Sequence, residues 1–542
     1  MTIAKLRNLS QYGVVTDVDP FNLPPEAFSM AVNARFRQSY VERAPVFRRI
    51  PVSLAYSDPR FIATNSPTTG FDSIITGYLN GRVTSYKSGS ETDLSIFAYV
   101  NSDSETGYTS CHLGDVFYIN RSDRVPWSLR VTDTQFQTLS NWDTNWRAKI
   151  LRSCNSVLVA FGITKSGTTY PTMVKSSVTA TVNTVPSSWD ETVTTNIAYE
   201  NILAEMESAI MDAQALGQVM VVYGLKETWI MTPVPGNDIW DVRKLFSDAG
   251  AVNVNCSVEV DHKHFVFGLN DIWEHDGVSK QSICDKKTRK NIFSTLNIQK
   301  SSRFFVKYDE ARKEIRFNYV SGDRLTSFVG AEGCNRSAVY NLSEGTWTFD
   351  DLPFVFGATT SNLDNSQTYA SVTTTYDTAG GSYLDQEDSL KKTLIMAGAS
   401  STTYSLSTSL YALDEQGPGS SISYPVDQNA TKGVTIERDG IDLDELADGQ
   451  ELELEGYKVL SSLFPQAKFE TGAAALMFSV GSSDNYNIAP TFLDPQSYDG
   501  VNDRRCDFNS AGRWLYLKIT HTDYHWFRLT GLDLDLYVSA DS

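Results

Sequence analysis

Between Val219 and Gly277 the sequence runs twice through one pattern: an apolar strand, a tight turn, and a second strand that closes on tryptophan. The first pass is Val219-Met-Val-Val-Tyr-Gly-Leu-Lys-Glu-Thr-Trp229-Ile-Met231. The second is Cys256-Ser-Val-Glu-Val-Asp-His-Lys-His-Phe-Val-Phe267, a turn over Gly268 to Asp271, then Ile272-Trp273-Glu-His-Asp-Gly277. Short β-branched and aromatic runs bounded by turn residues read as hairpins. Trp229 and Trp273 lie 44 residues apart, close to the length of one four-stranded propeller blade. The theme returns in Val306 to Val320, turning at Asp309 to Arg312, and in Ala338 to Phe349, closing on Trp347. The interval from Trp273 to Trp347 is 74, so the repeat is degenerate.

Upstream, Asn80-Gly81 separates two strand-like runs and is the strongest short hairpin signal in the chain. Gly114 to Trp127, Ser156 to Phe161 and Tyr170 to Ser176 carry the strand theme further. An aromatic content of 12% favours strands, and the expected class is mainly β, with a β-propeller as its principal body. One segment departs from the theme. Ile197 to Leu216 places Ile202, Met206, Ile210 and Ala213 on a helical face, which fits a helix inserted on the propeller rim as well as it fits strand. Glu26 to Asn33, behind Pro24-Pro25, reads as about two helical turns.

The formal charge of −19 argues against a protein that grips nucleic acid. An acidic surface would instead let a polyanion pass without sticking. Six cysteines without CxxC or Cys/His metal spacing read as buried free thiols of a reducing compartment. No apolar leader and no run of 18 apolar residues is present, so the expectation is a soluble chain made in a cytoplasm, with no membrane-spanning segment.

The N-terminal order is Gly13-Val-Val, an acidic residue, Pro20-x-x-Leu-Pro24, Ala31, Asn33-x-Arg35-Phe-Arg37, then Val41-Glu-Arg43-Ala-Pro45. It resembles the start of the tail nozzle, or tail tubular B-like, proteins of short-tailed bacteriophages. Asp271 to Gly277, Tyr340 to Pro353 and the alternating Phe527 to Val538 resemble the same family, so the likeness spans most of the chain in order. In that family the motif residues are structural. The resemblance implies a propeller with an additional β platform built from the N-terminal arm and the C-terminal region. The expected division is 1–50, 51–415 with room for an insertion near 190–216, and 416–542. It further implies a non-enzymatic virion protein: a hexameric ring attached to a head–tail adaptor and adjoining receptor-binding tail fibres. Double-stranded DNA would pass its channel without specific binding. The expected place is the virion tail, assembled in the host cytoplasm. Two other classes stay open: a carbohydrate-binding or glycan-cleaving propeller of a phage tail, and a monomeric propeller scaffold.

No catalytic, cofactor or metal residue is assigned. His262 and His264 read as one face of a single strand with His275 nearby, and as exposed histidines in preference to metal ligands. His521, Asp523 and His525 fall in a turn between strands and raise the same question. Ser343 to Trp347 is similar to the Asp-box turn of sialidases, but lacks its aspartate. The acidic run Glu437 to Glu455 reads as a solvated loop, with Ca²⁺ binding the alternative. Lys286-Lys287-Thr288-Arg289-Lys290 is the one concentrated basic patch, read as a surface turn or as a contact to an acidic neighbouring subunit. There is no P-loop, GxSxG or HExxH.

Overall fold

The computed structural model describes residues 2–50, 52, 56, 59–67, 72–87, 89–96, 107–234, 240–324, 333–362, 392–402, 405–414, 424–441, 457–485 and 488–539. Among these residues, seven four-stranded antiparallel blades form a closed β-propeller. The innermost strands, in blade order, are Pro59–Asn65, Tyr108–Leu113, Trp146–Cys154, Asp212–Leu216, Ser257–Val260, Phe305–Asp309 and Gly357–Asn362. Each runs beside the next, and the seventh returns to the first.

The apolar runs seen in the sequence are continuous because each blade is covered on both faces. In Val157–Lys165 of blade 3, Leu158 and Ala160 pack with Val116 and Tyr118 of blade 2. The alternate residues Val159 and Phe161 pack with Val222 and Trp229 of blade 4. Period-two alternation thus divides one strand between two cores. Ring closure uses the same device, with Ile62 and Ile74 of blade 1 against Ile395, Ala397 and Leu410 of blade 7.

Blade 7 takes its outermost strand from the N-terminal arm: Val46–Arg49 pairs with Ser405–Asp414, Val46 opposite Asp414 and Arg49 opposite Tyr411. Arg48 adds an ion pair of 2.6 Å to Asp414. The chain therefore closes its own ring by a pairing of very long sequence separation.

Beside blade 6 lies a β platform of two sheets. One carries the hairpin Ala34–Arg37 and Tyr40–Arg43, then Phe527–Ser539, Tyr457–Phe469 and Cys506–Gly512, with Thr2–Leu6 also on Phe527–Ser539. The other continues blade 6 itself. Its outermost strand, Thr346–Val355, meets Met30–Val32 in parallel at Val32 and Phe349, and Val434–Ile441, Trp514–His521 and Leu476–Ser483 follow. One apolar core joins Phe36 and Val41 of the arm, Phe317 and Trp347 of blade 6, and Leu463 and Leu529 of the platform. The fold is mainly β: a propeller with a platform made by the two ends of the chain.

Several expectations need correction. Residues 197–216 are not a helix: Tyr199–Ile202 is the outer strand of blade 3 and Asp212–Leu216 the inner strand of blade 4. Ile210 and Ala213 are buried in the core between blades 3 and 4, whereas Ile202 stands 45% exposed, so no common helical face exists. Glu26 to Asn33 is a turn leading into the strand Met30–Val32, because pairing with Val434–Ile441 captures the backbone. Trp127, Trp229 and Trp273 all sit on third strands of their blades, but Trp347 sits on a fourth. That change of place, together with the short helix Arg289–Thr295 ahead of blade 6, accounts for the 74-residue interval. Gly417-Pro418-Gly419, whose turn residues read as a hinge, and residues 442–455 of the acidic run lie outside the described residues; Glu437, at the start of that run, is a strand residue paired with Lys518 at 2.8 Å.

Candidate functional site

The densest polar chemistry is the joint between platform and propeller. The arm hairpin turns through Gln38 and Ser39, both at positive φ, and this two-residue turn fixes which side chains face blade 6. Arg35 accordingly points inward. Its guanidinium meets Asp350 through two bonds of 2.7 and 2.5 Å and donates from Nε to Glu314 at 2.8 Å. Arg316 donates to the same Asp350 at 2.8 Å, and Arg37 to Glu314 at 2.8 Å. Arg35, Glu314 and Arg316 are at most 2% exposed. Asn33 spans the joint, donating to Gly433 O at 2.8 Å and accepting from Asp351 N at 2.9 Å. Arg43 donates to the carbonyls of Asp523 and Lys432 at 2.6 and 2.7 Å.

Burial alone would discharge these groups, but opposite charges outweigh it. Burial would lift the Glu314 carboxyl, yet Arg35 and Arg37 pull it far below the usual carboxylate range. Asp350 is held low in the same way by Arg35. Burial would lower Arg35, and Asp350 with Glu314 raise it. The set stays ionised as a unit, and no member can be removed without stranding a buried partner. The sequence marks Asn33, Arg35, Arg37 and Arg43 as motif residues and places Asp350 inside the Tyr340 to Pro353 stretch, but it does not mark Glu314 among 65 acidic residues. Charges inside the strand-like runs Glu314 to Tyr319 and Thr346 to Asp351 were the available signal.

A second polar chain crosses the seam between blades 4 and 5. His262 and His264 do not share an exposed strand face, contrary to what their spacing predicts. Asp261 and His262 form a turn with positive φ, separating Ser257–Val260 from Lys263–Phe267, while His264 and His275 are buried on neighbouring strands. Tyr223 Oη lies 2.6 Å from His264 Nδ1 and 2.7 Å from His275 Nε2. Gly277 N–H donates to His275 Nδ1 at 3.1 Å, so the ring's proton belongs on Nε2 and goes to Tyr223. Tyr223 then donates to His264 Nδ1, and His264 Nε2–H to Ala215 O at 2.8 Å. Each ring nitrogen is used once and Tyr223 Oη twice, as acceptor and as donor, and an added proton would find no acceptor. Burial lowers His264 to about 4 and, aided by repulsion from His264, His275 to about 3. The rings are neutral and act as structural bridges.

The remaining candidates divide differently. His525 Nδ1 contacts Asp523 at 2.5 Å, whereas His521 is buried against Phe527 and lowered to about 4, first by burial and then by Arg43. Among the described residues no group of three His, Cys, Asp or Glu side chains is placed to hold a metal ion. The basic patch is only partly free surface. Lys287 donates to Gly345 O at 2.7 Å, its own carbonyl accepts from Thr16 N and Asp17 N, and Lys290 N donates to Asp17 at 2.9 Å. It thereby ties the arm to blades 5 and 6, beside a groove of about 370 Å³ bordered by Tyr12, Val15 and Leu23. All six cysteines are free thiols. No described helix is long and apolar enough to cross a membrane.

No family model and no curated protein matches this sequence. Among solved structures, the WD40 β-propeller domain of Doa1 aligns over 68% of this chain and 96% of its own, at 9% identity and a TM-score of 0.36. A chain of the mitotic checkpoint complex aligns over 58% of this chain and 87% of its own, at 11% identity and a TM-score of 0.34. The likeness reaches no further than the propeller fold.

Proposed function

We propose that this chain is a non-enzymatic interaction protein in which a propeller and a platform are presented to partners as one rigid piece. The observation that carries this reading is the joint: a shared sheet, a shared apolar core and a buried ionic cluster couple the two bodies. Such coupling fixes the angle between two binding faces, which a scaffold requires.

Within that class a more specific reading is favoured by one further observation. Of the residues that carry the resemblance to tail nozzle proteins, Asn33, Arg35 and Arg37 reach blade 6 and build the joint, and Arg43 ties the arm to the platform. On this reading six chains form a ring on a head–tail adaptor in a short-tailed phage tail. Tail fibres adjoin it, and the net charge of −19 discourages phosphate contacts as the genome slides through. The test is the mass of the purified chain by light scattering, alone and with the adaptor ring. A six-chain assembly under either condition supports the nozzle. A monomer under both removes the ring and leaves the scaffold reading, which then predicts a one-to-one partner. Saturable glycan binding or cleavage by the same monomer would overturn both in favour of a carbohydrate-active propeller.

A further inference from the structure

The chain carries one concentrated basic patch and one stretch in which acids alternate with leucine, and the two are chemically complementary. The patch follows Lys280–Ser282, the outermost strand of blade 5, in a turn closed by bonds from Lys287 N and Thr288 N to Cys284 O, both 3.1 Å. Lys286 and Lys287 of this turn border the groove of about 370 Å³, whose apolar lining comes from the arm through Tyr12, Val15, Val18 and Leu23. Lys286 is exposed. Lys287 Nζ donates to Gly345 O at 2.7 Å, which fixes the ammonium at the groove and uses one of its three protons. Glu344, the one acid among the described residues that border the groove, accepts from Gln38 N at 3.3 Å. Most of a surface with net charge −19 repels an acidic partner, and an apolar cleft edged by lysines is where one is accepted.

Residues 442–455 read Asp-Leu-Asp-Glu-Leu-Ala-Asp-Gly-Gln-Glu-Leu-Glu-Leu-Glu, with seven acids, four leucines and no basic residue. From Glu451 to Glu455 the alternation is strict. An extended backbone turns Leu452 and Leu454 to one side and Glu451, Glu453 and Glu455 to the other. Laid along the groove, such a peptide offers leucines to the apolar lining and carboxylates to lysines whose long stems reach over it. The strand that precedes this stretch, Val434–Ile441, is fastened to the groove's own wall: Arg438 donates to Pro20 O and Leu23 O, each at 3.0 Å. Groove and strand end thus share one patch of surface, and two copies meeting at that patch each present what the other receives.

We propose that the groove between the arm and blades 5 and 6 receives the acidic, leucine-alternating segment 442–455 of a second copy of this chain. The contact does not rest on the ring reading, since a pair of chains satisfies it.

The experiment uses the full chain in two complementary variants. Lys286→Glu reverses an exposed charge at the groove, and the triple change Glu451→Gln, Glu453→Gln and Glu455→Gln neutralises the segment. Light scattering over a concentration series should show self-association of the parent, weakened about tenfold or more in each variant. Mixing the two variants should restore a pair, because the mixture holds one intact groove and one intact segment. A labelled synthetic peptide of residues 441–456 should bind the triple variant saturably by fluorescence anisotropy, and about tenfold more weakly once Lys286→Glu is added to that chain. Peptide affinity unchanged by Lys286→Glu overturns the groove. A peptide that binds while the mixed variants stay monomeric overturns the second copy, since the groove then takes only the segment of its own chain. A six-chain ring undiminished in both variants overturns this contact and leaves the ring reading standing; a mixed pair with no ring does the reverse.

Discussion

The joint and the seam between blades 4 and 5 solve one problem, polar groups inside a β core, by opposite means. At the joint the groups are charged: Arg35, Arg316, Glu314 and Asp350 satisfy one another as ions. At the seam they are neutral: His275, Tyr223 and His264 pass hydrogen bonds in one direction from Gly277 N–H to Ala215 O. The ionic set is tolerant of pH and intolerant of deletion. The neutral chain is sensitive to added protons, because both rings are held well below the ordinary histidine value. The first binds two bodies together, and the second only aligns neighbouring blades.

The largest effect should come from breaking the ionic set. Glu314→Gln leaves Arg35 and Arg37 facing a neutral amide inside the protein, and should cost about 3–5 kcal/mol in urea unfolding. Arg35→Met should cost a similar amount. The double variant should cost less than the sum, since the second change removes a charge that the first has stranded. Simple additivity would show that the cluster does not act as a unit.

Next is Tyr223→Phe, which deletes only the hydroxyl between the two rings. His264 Nδ1 loses its donor and His275 Nε2–H its acceptor, both fully desolvated, for about 2–4 kcal/mol. A loss near zero would mean that the rings find other partners and that the chain of bonds is dispensable.

The pH dependence separates the two regions. For His264 and His275 the unfolded chain binds protons more readily than the folded one between the ordinary value of 6.5 and about 4 to 3. Their stabilising contribution is thus complete above pH 6.5 and is lost as pH falls through that window. Glu314 and Asp350 are depressed carboxylates, so their contribution is present above the ordinary carboxylate values of 4.5 and 3.8 and is lost only below them. Acidification should therefore loosen the seam before the joint. Urea midpoints measured from pH 7 to 4 should fall less steeply in His264→Gln than in the parent chain; equal slopes would remove His264 as a titrating element.

The sequence disclosed what is local and hid what is not. Asn80-Gly81 announced its hairpin because the turn residues alone determine it, and Gly81 does sit at positive φ. Trp229 and Trp273 marked equivalent strands because a blade repeats locally. The strand Val46–Arg49 gave no sign that it would close blade 7, since its partner Ser405–Asp414 lies at the far end of the propeller's chain. Ile202 to Ala213 looked helical because the end of one blade and the start of the next happened to space apolar residues by helical intervals. The histidine pair was misread because Asp261-His262 is a turn made of residues that carry no glycine. Arg35 was visible as a motif residue, but its pairing with Glu314 and with Asp350 of the Tyr340 to Pro353 stretch spans about 300 residues, and nothing local announces it.

The smallest expected effect sharpens the comparison by holding geometry constant. Arg505 Nε lies 2.8 Å from Asp507, the same distance as Arg35 Nε from Glu314. Arg505 and Asp507 are 55% and 65% exposed, however, whereas Arg35 and Glu314 are 2% and 0%. Water and salt screen the exposed charges, and releasing two long side chains recovers entropy. Arg505→Ala should therefore change the unfolding free energy by about 0.5 kcal/mol or less, and added salt should erase even that. Arg35→Met should keep most of its cost in high salt, because ions do not enter a buried cluster. If the two variants proved equally costly, or equally sensitive to salt, burial could not be what distinguishes the joint from an ordinary surface pair.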